Sequence, residues 1–85
     1  MEKHPVGKIT HYFSKIGVAV VEVSDRLSVG DRIVIEGTEG GPVEQTVASM
    51  QIEHENVTEA TSGQSIGMKV AGKVHPGNAV FKLSD

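Results

Sequence analysis

The sequence contains no cysteine. Disulfides and thiolate metal sites are therefore excluded. Aromatic residues are few. Tyr12, Phe13 and Phe81 are the whole set, fewer than a platform for stacking nucleic-acid bases requires. No apolar run approaches the ~20 residues of a membrane-spanning helix, so no membrane partner is expected. Met1 to Pro5 lacks the apolar segment of a secretory signal, which makes a cytoplasmic protein the expectation. Positive charge is scarce as well: eight Lys plus Arg stand against eleven Asp plus Glu. That balance argues against strong nonspecific binding to nucleic acid, which needs a dense basic face, and leaves room only for a local patch.

What the sequence does contain is short β-branched runs separated by glycine corners. Eighty-five residues suffice for one domain, burying ~60–65% of the unfolded surface, so the core is thin. Residues 1–5 read as a flexible N-terminal arm, and residues 6–83 as a single β domain. Val6 to Phe13 alternates with period two, which sets Ile9, His11 and Phe13 on one face and Lys8, Thr10 and Tyr12 on the other. Ile16 to Val23 is apolar on both faces: Ala19, Val21 and Val23 on one, Ile16, Val18 and Val20 on the other. It is therefore expected to be central or covered. Leu27 to Asp31 forms a tight corner in which Gly30 is free to take positive φ. Arg32 to Glu36 is a half-buried strand, and Gly37 to Pro42 a hairpin tip.

Val43 to Ile52 is too long for one straight strand. Val43 and Val47 have one parity, Met50 and Ile52 the other, so a bulge or bend is expected near Ala48–Ser49. The crossing from Glu53 to Ser62 is acidic and reads as loop. Ser65 to Val70 and Ala79 to Leu83 complete six strands at roughly ten-residue spacing, with no helical apolar stripe. Such a pattern predicts an all-β closed barrel or sandwich, closure being the economical way to remove exposed edges.

Leu27–Gly37, with the corner Gly30-Asp31, and Val47–Val70, with Val47-Ala48-Ser49-Met50, Val57, Ala60, Gly63 and Ile66-Gly67-Met68, together resemble the second domain of translational GTPases of the elongation factor Tu and elongation factor one-alpha type. Pro76-Gly77-Asn78-Ala79-Val80 resembles the end of that domain. The resemblance implies a free-standing, six-stranded Greek-key closed β-barrel over residues 6–83. It also implies a role in binding tRNA or the ribosome, carried over to Ser49, Met50, His54, Gln64 and Ser65. The family often places Asn at Ser65 and His at Glu53, so the carry-over is incomplete. The same barrel also occurs as a C-terminal domain of the peptidase family called U32. That likeness implies an accessory protein-interaction domain working beside a separate enzyme.

The residues themselves support no catalysis. The Gly-Lys pairs, Gly7-Lys8 and Gly72-Lys73, are not followed by Ser or Thr, so no phosphate-cradling loop is present and no nucleotide hydrolysis is expected. The four histidines, His4, His11, His54 and His75, show no ligand spacing. Glu53, Glu55 and Glu59 read as a solvated acidic loop rather than an acid–base set. Ser14, Ser49 and Ser65 lack a nucleophile context. No cofactor is expected. Tyr12, Val18 and Val20, on the outer face, are the best candidates for a docking surface. With no catalytic set, the resemblance to the translational GTPase domain implies a non-enzymatic binding module, recognising RNA, the ribosome or a protein partner. The RNA version requires Lys8, Lys15, Arg32, Lys69 and Lys73 to gather on one face.

Overall fold

The computed structural model describes residues 2–84. Among them there is no helix, and the chain is all-β. Ten strands form instead of six: β1 Glu2–Phe13, β2 Val18–Val23, β3 Leu27–Ser28, β4 Arg32–Glu36, β5 Val43–Thr46, β6 Met50–Ile52, β7 Glu55–Val57, β8 Glu59–Ala60, β9 Ser65–Lys69 and β10 Ala79–Ser84. The extra ones are short. Leu27–Ser28 and the acidic crossing were expected as corner and loop, yet each pairs with a neighbour, because a backbone segment lying on a core must satisfy its N–H and C=O groups.

Eight strands make one antiparallel sheet in the order β5-β4-β10-β1-β2-β9-β6-β7. The remaining pair, β3 and β8, forms a separate ribbon, with Leu27 opposite Ala60. The expected closed six-stranded barrel is therefore corrected to an open half-barrel, with β5 and β7 at the two ends of the ladder. The sheet still curls. Val43 of β5 and Val57 of β7 pack against the same core, and the ribbon contributes Leu27 and Ala60 to it.

The core is aliphatic. Val6, Ile9, Ala19, Val21, Val23, Ile33, Ile35, Met50, Ile66, Met68 and Val80 are all buried, in keeping with the period-two reading of β2, β4 and β9. The break in the fourth run also stands. Val47 to Ser49 leave the sheet between β5 and β6, which lets Val47 and Met50 both turn inward. Gly30 takes φ 95°, and the corner it makes ties back to Val47 twice. The Gly30 N–H donates to the Val47 carbonyl, and the Val47 N–H to the Asp31 carbonyl, each at 2.8 Å.

Strand β1 departs from strict alternation. Its register shifts between Pro5 and Gly7 against β10, and between Ile9 and His11 against β2. The second shift leaves Thr10 without a partner on β2 and reverses the parity beyond it. Tyr12 therefore turns inward and packs on the core, while His11 and Phe13 are exposed and their rings stack with centroids 6.5 Å apart. The inward placement of His11 and Phe13, and the outward placement of Tyr12, are both corrected. Glu2 to Pro5 are strand as well, paired with Phe81–Ser84. Over these residues β1 has no β2 partner, a place where the missing N–H of Pro5 is tolerated. Met1 of the expected arm lies outside the described residues.

Candidate functional site

The outer face of β2 is where the exposed apolar surface collects. The β1–β2 hairpin closes through an Ile16 N–H to Phe13 carbonyl bond of 3.2 Å, with Gly17 at φ 65° supplying the left-handed residue such a turn needs. This geometry projects Ile16 from the hairpin tip, 64% exposed, and leaves Phe13 52% exposed beside it. Val18 and Val20 follow along β2, half-buried. A shallow groove of about 340 Å³ runs between these four side chains and the segment Gln51, Glu53, His54, Ser65, Ile66 and Gly67.

One wall of the groove is strained. Ile52 and Glu55 pair across β6 and β7, so Glu53 and His54 are the entire connection. Both have positive φ, 51° and 67°. A two-residue turn of this hand is normally built from Asn-Gly or Asp-Gly, since side chains with a Cβ are disfavoured there by roughly 1 kcal/mol each. Among the described residues, Glu53 is the one carboxylate lining the groove, no lysine or arginine lines it, and no ion pair involves Glu53.

The floor is Gly67, opposite Val20 on β2 and Gln51 on β6. Its φ is not in the positive range. A Cβ built on it would meet only a Val18 methyl, at an ordinary 3.6 Å. Neither backbone conformation nor packing within the chain requires glycine there.

Four of the candidate residues meet in this groove: Val18, Val20, His54 and Ser65. Ser49 lines a smaller adjoining depression of about 170 Å³ that shares Val18, Gln51 and Gly67 with it. The other three are elsewhere. Met50 is fully buried and presents nothing to a partner. Tyr12 sits on the core side of β1. Gln64 is spent locally, its side-chain oxygen accepting the Thr61 N–H at 2.8 Å. Sequence reasoning missed Phe13, Gln51, Glu53 and Gly67 as site residues, and placed Ile16 on the correct face without counting it.

A larger concavity of about 470 Å³ lies between the β4–β5 hairpin tip and the β9–β10 loop, lined by Thr38 to Val43, Gly72, Lys73 and His75. The tip is ordinary hairpin chemistry, with the Gly41 N–H donating to the Thr38 carbonyl. It gathers none of the candidate residues. Among the described residues no three His, Asp or Glu side chains converge as metal ligands.

The basic side chains do not gather as an RNA-binding face. Arg32 donates to Glu44 through Nε and Nη2, at 2.9 and 2.7 Å. Lys8 stands opposite Glu22 across β1 and β2, Lys15 is in the β1–β2 turn, Lys69 ends β9 opposite Val18, and Lys73 is in the β9–β10 loop concavity.

Comparison with known proteins bears on the fold and the family likeness. No family model matches the chain. Over 83 residues it is 36% identical to an uncharacterized protease of Methanocaldococcus jannaschii, covering 98% of this chain and 20% of that protein. It is 40% identical over 83 residues to a collagenase of Porphyromonas gingivalis, covering 96% of this chain and 23% of that protein. The chain thus spans about a fifth of the length of the curated relatives it matches. Among solved structures, the C-terminal domain of a U32 peptidase from Geobacillus thermoleovorans superposes with a TM-score of 0.89 at 22% identity, covering 95% of this chain and 93% of that one. A selenomethionine variant of the same domain gives 0.86 at 22% identity, covering 91% and 96%.

These likenesses correct the resemblance to the second domain of translational GTPases. The relatives are named as proteases and the fold is that of a peptidase C-terminal domain. A tRNA or ribosome role loses its support, and the accessory-domain alternative is favoured over it. The Gly-Asp corner and alternating aliphatics that carried the earlier resemblance are needed by many small curled sheets, so they discriminate poorly.

Proposed function

We propose that this chain is a non-catalytic accessory module that docks on a peptidase body through the groove face of β2. The observation that carries the reading is the pair Phe13 and Ile16, held more than half exposed at the hairpin tip. Large apolar side chains gathered beside a groove mark an interaction surface far better than scattered ones do. The likeness of nearly the whole chain to about a fifth of larger proteins named as proteases supports a peptidase body as the partner.

The test mixes this chain with the Porphyromonas gingivalis collagenase lacking its matching 83-residue segment, its folding checked by circular dichroism. Calorimetry and sedimentation read complex formation. A saturable one-to-one complex is expected, weakened at least about tenfold by the double substitution Phe13→Ser and Ile16→Ser, because central apolar anchors dominate such interfaces. A folded body that gives no complex, or a double variant that binds as tightly as the parent chain, overturns the reading.

A further inference from the structure

We propose that the groove receives a linear segment of its partner, with one aliphatic side chain seated in the notch above Gly67 and a lysine or arginine beside it paired with Glu53. The identity of the partner rests on the reading above; the recognition chemistry does not.

Three observations converge on it. First, Gly67 is a glycine in the middle of a strand that neither a positive φ nor a close neighbour demands. A glycine in a strand interior weakens the strand, and often marks a place where a ligand or another backbone comes close. Here the volume it leaves open is the groove floor, beside a Val18 methyl and opposite Val20 across the strand pair. Second, among the described residues the groove holds a single carboxylate and no lysine or arginine, so its complement is apolar with one positive charge. Third, that carboxylate is carried on a turn whose two central residues both sit at positive φ. Such a conformation costs free energy and persists where the surrounding structure enforces it. It fixes Glu53 at the groove wall, where a floppy loop would not.

An extended segment suits this shallow groove better than a bulky domain surface, since one side chain can be seated above Gly67 while the flanking backbone lies over Gln51 and Ser65, which also line it. Because Gly67→Ala adds one methyl group at ordinary contact distance from Val18, it fills the notch without disturbing the fold. It separates docking from stability, which substitutions of buried residues cannot do.

The experiment uses the 85-residue chain labelled with nitrogen-15 and three synthetic hexapeptides, Gly-Ser-Leu-Lys-Ser-Gly and its Leu-to-Ser and Lys-to-Glu counterparts. Amide shifts are followed during titration. The leucine-lysine peptide is expected to move Phe13, Val18, Val20, Gln51 and Gly67 in a saturable way. Each counterpart peptide should bind at least about threefold more weakly, in line with the modest worth of one exposed contact. Gly67→Ala should lower affinity at least about tenfold while leaving the thermal midpoint unchanged or raised, and Glu53→Gln should erase the preference for lysine over glutamate.

Equal binding by Gly67→Ala, shifts located elsewhere, or no shifts with any peptide would overturn the inference. So would concentration-dependent shifts of the same residues without peptide, which would identify a second copy as the occupant. Peptide binding in the notch with no complex to the peptidase body would overturn the partner and keep the recognition chemistry. A complex with the body that Gly67→Ala leaves intact would do the reverse.

Discussion

The side-chain oxygen of Gln45 accepts the backbone N–H of Ala71 at 2.7 Å. The same amide donates through Nε2 to the carbonyl of Lys69 at 2.8 Å. Gln45 lies on β5, one end of the open ladder, and Lys69 and Ala71 lie at and just beyond the end of β9. One amide side chain thus makes the two hydrogen bonds that a neighbouring strand would otherwise make. It bridges β5 to β9 without adding a strand, and this is how an unclosed sheet keeps its edge tied down.

Removing that bridge should loosen the end of the sheet. Gln45→Ala is expected to cost about 1 kcal/mol, the usual net worth of exposed hydrogen bonds of this kind, or a fall in thermal midpoint of roughly 4–8 °C for a domain this size. Gln45→Glu keeps the acceptor but sets an oxygen against the Lys69 carbonyl, so it should be no better than alanine. A glutamate variant as stable as the parent in a calorimetric melt would refute the bridging role.

Two strand glycines should respond in opposite ways. A Cβ on Gly7 would stand 2.6 Å from the Glu22 carbonyl oxygen and 2.9 Å from a Val21 methyl. Gly7 sits where β1 is paired on both sides, with β10 and β2, so the backbone cannot yield cheaply. Gly7→Ala is predicted to destabilise by about 1–3 kcal/mol, whereas Gly67→Ala is neutral or stabilising. Urea denaturation of the two variants side by side checks this; equal midpoints would contradict it.

Asn78 holds the β9–β10 loop from within. Its side-chain oxygen accepts the His75 N–H at 2.7 Å, and its carbonyl accepts the Ile9 N–H at 2.8 Å. It is the buried polar side chain of the described core. Asn78→Ala leaves the His75 N–H without that acceptor and should cost about 1–3 kcal/mol. His75→Ala keeps that N–H and removes only an exposed ring, so it should stay within about 0.5 kcal/mol of the parent. Protection of the His75 amide from hydrogen exchange should fall in the first variant only.

Relieving the strained turn should stabilise the domain and harm its docking. Replacing Glu53 and His54 by Asn and Gly supplies residues that tolerate positive φ, and is predicted to add about 1 kcal/mol. Lysine selectivity in the peptide titration should disappear at the same time. A drop in stability would show that contacts of the Glu53 or His54 side chain outweigh the backbone cost.

The sequence by itself determined the class of this protein and the inward face of its regular strands. Alternation placed Ala19, Val21, Val23, Ile33, Ile35, Ile66 and Met68 correctly, because a strand with no register shift has only one way to bury β-branched side chains. It also showed Val18 and Val20 as the outward apolar pair, half of what lines the groove from the hairpin side. What it could not show depends on pairing between distant segments. The bulge at Thr10 exists only against β2, and it exchanges Phe13 with Tyr12 on the surface. The turn at Glu53–His54 exists only because β6 and β7 pair, and nothing in two such ordinary residues announces positive φ. Whether the sheet closed was likewise a tertiary decision: β5 and β7 end the ladder, and β5 reaches β9 through the Gln45 side chain. Local side-chain period is written in the chain; register, curvature and the meeting of Gly67 with the hairpin tip arise only when residues far apart in sequence compete for the same hydrogen bonds and the same small core.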